Sequence, residues 1–103
     1  MDRLEALRAM LSQDPGNTFA RYGLAIELAN RGELETAIAE YRALLATDPN
    51  YAAAYYHGGQ ALERLGNTDE AREWYERGID VTRRTGDTHT MSELQVALEL
   101  LPI

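Results

Sequence analysis

The chain contains no cysteine, and its ten basic residues are all arginine, so it has no lysine either. Without cysteine there can be no disulfide and no thiolate to hold a metal, an absence that mildly favours a reducing compartment. Without lysine there is neither a P-loop ammonium for a nucleotide's phosphates nor an amine for a Schiff base. Long apolar runs are missing as well. None approaches the roughly 20 residues that cross a bilayer, and Met1-Asp2-Arg3 leads into an amphipathic pattern, not the apolar core of a signal peptide. The expectation is a cytoplasmic chain with no membrane contact. Positive charge is scarce: ten arginines face seventeen acids, leaving a net charge of -7. That balance repels phosphate backbones and argues against nucleic acid as a ligand. The only serines, Ser12 and Ser92, lack a nucleophile-elbow context. The chain is therefore read as non-catalytic and without a cofactor.

What the sequence does contain is itself, displaced. A shift of 34 residues lays Asp14-Pro15 on Asp48-Pro49, Tyr22 on Tyr56, Leu28 on Leu62, Gly32 on Gly66, Ala37 on Ala71 and Tyr41 on Tyr75. Self-similarity at such a period means one supersecondary unit repeated and stacked, each unit touching only its neighbours. The punctuation falls at Asp14 to Gly16, Arg31-Gly32, Asp48 to Asn50, Leu65-Gly66 and Thr85 to Asp87. Between these breaks every segment shows apolar spacing near 3.6, so six helices are expected, near 2–12, 17–30, 33–46, 51–64, 67–84 and 88–101. No strand signal competes, and with 103 residues only one domain fits. Asn17 is the expected N-cap of the second helix, and Asn67 with Glu70, like Thr90 with Glu93, has capping-box spacing. Where the period calls for another Asp-Pro the chain reads Thr82-Arg83, so the fifth helix should run about a turn longer, to Gly86.

These residues resemble the tetratricopeptide repeat (TPR) family. The match runs through Arg21, Leu24-Ala25, Leu28, Gly32, Ala37, Tyr41, Leu44 and Asp48-Pro49, and again through Tyr55, Gly58-Gly59, Leu62, Gly66, Ala71, Tyr75 and Gly78. Arg21 departs from the bulky apolar residue usual at its position. The resemblance implies an all-α fold, a short right-handed α-solenoid of antiparallel helix pairs with about six helices. It divides the single domain into an N-terminal half-unit helix (1–13), repeat 1 (18–51), repeat 2 (52–85) and a C-terminal capping helix (86–103). Small residues at Ala25 and Gly59 should let the helices of a hairpin approach, while Tyr41 and Tyr75 fill the wider gap between units. Arg3 where a small alanine is expected, Thr82-Arg83, and a last helix off the template are read as built-in ends.

In this family the first helix of each pair lines a concave groove. By register, that places Phe19, Tyr22, Ile26 and Ala29, then Ala53, Tyr56, His57, Gln60 and Glu63, on the inner surface. Phe19 and Ile26 have an alternative, packing beneath the N-terminal helix. Some members hold a partner's terminal carboxylate with lysine, asparagine and arginine. The matching residues here are Tyr22, Ile26 and His57, so that clamp is missing. With Glu63 and Asp87 toward the far end, the expected partner is a protein or peptide with apolar anchors and some positive charge. A second function class is structural, with the end helices or an exposed Trp74 forming a homo-oligomer interface; the alternative for Trp74 is to cover the junction with the last helix. His57 and His89 have no ligands at metal spacing, and the run Asp69-Glu70 with Glu73 and Glu76 interleaves with Arg72 and Arg77 as an ion-paired, solvated face.

Overall fold

Each break in apolar periodicity ends a helix. The computed structural model describes residues 1–102 and contains α1 (Arg3–Gln13), α2 (Thr18–Asn30), α3 (Leu34–Thr47), α4 (Ala52–Arg64), α5 (Thr68–Thr85) and α6 (Thr88–Glu99). No strand occurs among the described residues. The last position of the expected capping segment, Ile103, lies outside them. Helix α5, at 18 residues, is the longest. The absent Asp-Pro allows it the extra turn, and Gly86 then ends it in the left-handed conformation.

The two hairpin turns are built alike. In the first, the Glu33 amide donates to the Leu28 carbonyl at 3.0 Å and the Gly32 amide to that of Ala29 at 3.0 Å. In the second, Asn67 donates to Leu62 at 2.8 Å and Gly66 to Glu63 at 2.9 Å. This six-residue closure requires a positive φ at its penultimate position, and Gly32 and Gly66 supply 82° and 89°.

At the N-termini, Asp2, Asn17 and Asp87 accept bonds from the amides of Glu5, Ala20 and Thr90. Neither expected capping box forms. The Asn67 amide group donates to the Glu70 carboxylate instead of the backbone closing on it. At α6 the cap is Asp87, one turn before Thr90, because Gly86 places the helix start there. The acidic face of α5 also differs from expectation, since its charges reach other elements. Glu70 accepts from Arg42 of α3 at 2.6 Å, Arg72 donates to the Pro102 carbonyl at 2.8 Å, and the Arg77 guanidinium lies 5.4 Å from the centre of the Tyr55 ring.

Consecutive helices pack on one another, and α4 additionally touches α2 and α6. The result is a slab of 41 × 29 × 19 Å, the shape of a stack. Ala25, Ala37 and Ala71 are fully buried along its spine with Tyr41, Tyr55 and Tyr75. A Cβ added to Gly59 would sit 2.3 Å from the Tyr75 ring, and one added to Gly58 would sit 2.2 Å from Trp74. The Gly58-Gly59 pair therefore makes room for two adjacent aromatic rings. Tyr41 reaches Gly58 of the next unit, as expected of a residue filling the gap between units, whereas Tyr75 fills space against Gly59 inside its own hairpin.

Trp74 corrects the sequence reading. It is 3% exposed and presents no face to a second copy, and its ring lies against Gly58 of α4 and edge-on to Tyr55 instead of covering the junction with α6. The physical reason is space. Although Trp74 is rotated about 100° from Tyr75, the adjacent glycines of α4 leave room for both rings, so each packs against that one helix and neither meets water.

Candidate functional site

Two chain reversals separate α2 from α4 and α4 from α6, so these three helices run in the same direction and line one side of the slab with matching ends. Two clefts lie between them. The first, of about 100 Å³, is bounded by Ile26, Ala29 and Asn30 of α2, by His57, Gln60, Ala61 and Arg64 of α4, and by the buried Tyr41 below. The second, of about 430 Å³, lies between Tyr56, Gln60 and Glu63 of α4 and Ser92, Glu93, Val96, Ala97 and Leu100 of α6. Gln60 borders both, and its side-chain amide donates to the Tyr56 hydroxyl at 2.9 Å.

An aromatic row crosses the N-terminal half of this surface. The Tyr22 ring is 5.1 Å from Tyr51 and 5.9 Å from His57, which lies 5.1 Å from Tyr56 and meets it edge-on. Such tilted and edge-on contacts are the favoured aromatic geometries and hold the rings as a fixed wall. Burial pushes the phenol of Tyr22 above its usual pKa, and the nearby Tyr51 and Glu93 add to it. Burial likewise raises Tyr51 and, more strongly, Tyr75, whose hydroxyl donates a short bond to Glu63. Burial pushes His57 down while the negative charge of Glu93 pulls it up, burial being the larger influence. Burial thus favours the neutral forms of Tyr22, Tyr51 and His57, and the acidic side chains lining the wider cleft are Glu63 and Glu93.

The structure brings together Tyr22, Tyr56, His57, Gln60 and Glu63, with Ile26 and Ala29 bordering the narrow cleft. Phe19 is 72% exposed; it neither packs beneath α1 nor lines either cleft. Ala53 is partly buried and also outside both clefts, and Asp87 is occupied as the cap of α6. Sequence reasoning missed Tyr51, a loop residue just before α4, and the whole wall from α6. That wall had a signal. The core stripe of α6 runs Met91, Leu94, Ala97, Leu98 and Leu101, and Val96 and Leu100 are large apolar residues off the stripe, 54% and 77% exposed.

Comparison with known proteins agrees with this architecture. A family model described as "Tetratricopeptide repeat" matches residues 4–51 and 22–85. A TPR repeat-containing protein of Pseudomonas aeruginosa is 29% identical over 98 residues, spanning 95% of this chain and 93% of the relative. A tetratricopeptide repeat domain protein of Salinibacter ruber, solved by NMR, is 42% identical with a TM-score of 0.77, covering 82% of this chain and 86% of that one. The TPR2B domain of yeast Sti1, solved in a complex with pHsp70, superposes with a TM-score of 0.88 over 93% of this chain and 77% of its own, and at 19% identity that likeness speaks to the fold. With its two glycine-closed hairpins, its small-residue spine and a family model spanning residues 4–85, the chain belongs to the tetratricopeptide repeat family.

Proposed function

We propose that the chain is a non-catalytic interaction scaffold that holds a peptide or helical segment of a partner protein against the surface formed by α2, α4 and α6. The observation that carries this reading is the pairing of a pre-packed aromatic row with exposed Val96 and Leu100 on the same side of the slab. Large apolar side chains grouped at an open cleft have no role in holding the chain together, and rigid aromatics provide contact area at little entropic cost. The acidic lining, within a chain of net charge -7, supports a partner segment with apolar anchors and some positive charge. The carboxylate clamp expected of a chaperone-tail reader is missing, since Tyr22, Ile26 and His57 occupy its positions. The test is binding of recovered partners to Tyr22→Ala/Tyr56→Ala beside the parent. Loss of binding with an unchanged circular dichroism melt supports the groove, and full retention by every partner rejects it.

A further inference from the structure

The wider cleft has an internal order that specifies its occupant more closely. Along α4 the lining residues Tyr56, Gln60 and Glu63 come once per turn, and along α6 Glu93, Val96, Ala97 and Leu100 do the same. Because the two helices are parallel, Glu93 lies level with the aromatic end. Its charge acts on both Tyr22 and His57 there. Glu63 lies with Leu100 at the other end. Between them the floor is Gln60, Val96 and Ala97. The cleft therefore reads acid, apolar, acid, and the step from Tyr56 to Glu63 is about 10 Å at 1.5 Å per residue.

We infer that the α4–α6 cleft takes an amphipathic α-helix of a partner protein whose buried stripe reads basic, apolar, apolar, basic at i, i+3, i+4 and i+7. This rests on the scaffold reading above and narrows it to one cleft and one ligand pattern. Periodicity favours a helix. The walls repeat at the helical pitch of about 5.4 Å, so a helical occupant meets them turn for turn, whereas same-face residues of an extended chain repeat at roughly 6.7 Å and fall out of step. Charge sets the flanks. No basic residue lines this cleft, and the cationic neighbour of its carboxylates is the exposed His89 imidazole, 3.6 Å from Glu93 and charged only when protonated, so an occupant's guanidinium beside Glu93 is placed to meet the aromatic row as well. The two central apolar side chains cover Val96 and Leu100, which the chain leaves in water.

The test uses a synthetic, end-capped peptide of about 16 residues on an alanine and glutamine background, with arginine at i and i+7 and leucine at i+3 and i+4. Isothermal titration and amide shift mapping on the full chain are expected to give a Kd below about 1 mM, with shifts at Tyr56, Gln60, Glu93, Val96 and Leu100. Glu93→Gln, which leaves the Tyr75–Glu63 bond untouched, should weaken binding about threefold and lower its salt dependence, and Glu63→Gln/Glu93→Gln about fivefold or more. A peptide with both arginines replaced by glutamine should bind no better to the parent than to the double variant. Shifts confined to the α2–α4 cleft would overturn the assignment of cleft while leaving the scaffold reading intact. Equal affinity for a version interrupted by central proline would overturn the helical occupant. No shifts on α2, α4 or α6 with any peptide overturns this inference, and the scaffold reading then stands or falls on the Tyr22/Tyr56 variant.

Discussion

The hairpins α2–α3 and α4–α5 share one backbone design but hold their helices together with different chemistry. At equivalent positions, Arg21 and Glu40 form an ion pair in the first hairpin, and Tyr55 and Trp74 form an edge-on aromatic pair, 6.4 Å between centroids, in the second. Both first members also reach the carbonyl of the proline in the loop before their hairpin: Arg21 donates to Pro15 at 3.2 Å and the Tyr55 hydroxyl to Pro49 at 2.7 Å. Arg21, odd against the family pattern, thus does with its guanidinium what Tyr55 does with its hydroxyl. The third position in the set compensates in volume. Leu24 fills the first hairpin where Glu40 brings little bulk, and Gly58 vacates the second where the Trp74 ring enters. What the fold demands at this junction is a filled volume and a satisfied proline carbonyl, and either chemistry meets it.

The comparison can be broken most severely at its largest side chain. Trp74→Ala removes a buried indole and should cost about 3–5 kcal/mol, a large share of the roughly 5–15 kcal/mol typical of a domain. Urea melts check this, and a cost under about 1 kcal/mol would mean that the second junction is not held by its aromatic pair. Gly58→Ala should follow at about 1–3 kcal/mol. Overpacking against the Trp74 ring outweighs the better helix propensity of alanine, so the same change made in a Trp74→Ala background should be neutral or stabilising.

Tyr41 and Tyr75 occupy equivalent places in the two hairpins and should behave alike toward base. Burial pushes both phenols well above their usual pKa of 10, with the bond to Glu63 adding to the shift of Tyr75. Above pH 10 the unfolded chain releases these protons and the folded chain keeps them. Each tyrosine's contribution is therefore whole below pH 10, and stability declines above it by about 1.4 kcal/mol per pH unit per tyrosine. Denaturation at a series of pH values from 9 to 11 reads this, with Tyr41→Phe removing one share of the slope. The smallest effect belongs to the ion pair. Arg21 and Glu40 are each about a fifth exposed, and a double-mutant cycle should give roughly 1 kcal/mol, shrinking in high salt. A Tyr55–Trp74 coupling measured alongside should not respond to salt. If it did, the contrast between the two chemistries would dissolve.

Most of the helical architecture was legible because it depends on local devices that recur: glycine after each hairpin's first helix, alanine along the spine, and proline or its absence at the junctions. The sequence rules faltered where a side chain's partner lay on another element. Asn67 and Glu70 have the spacing to cap a helix, but Arg42 from α3 holds Glu70 elsewhere. Trp74 looked outward from its own helix because rotation about one axis cannot reveal that the facing helix makes room for two adjacent rings. The candidate site divided in the same way. Its α2 and α4 residues followed from repeat register, whereas the α6 wall escaped because that helix leaves the 34-residue template and its exposed valine and leucine register only against a known core stripe.

The fit of Trp74 over Gly58 also constrains how the two hairpins could have diverged from a common unit. A leucine at the position of Gly58 and a tryptophan at that of Trp74 would overlap unless one of them moved, since even a single carbon added to that glycine meets the indole at 2.2 Å. A lineage passing from the first arrangement to the second must shrink the leucine before it enlarges the glutamate, crossing a cavity, not a clash. Reversing the route demands that the tryptophan leave first. The order of events is therefore written into the geometry, and copies of this unit that carry tryptophan should carry glycine opposite it.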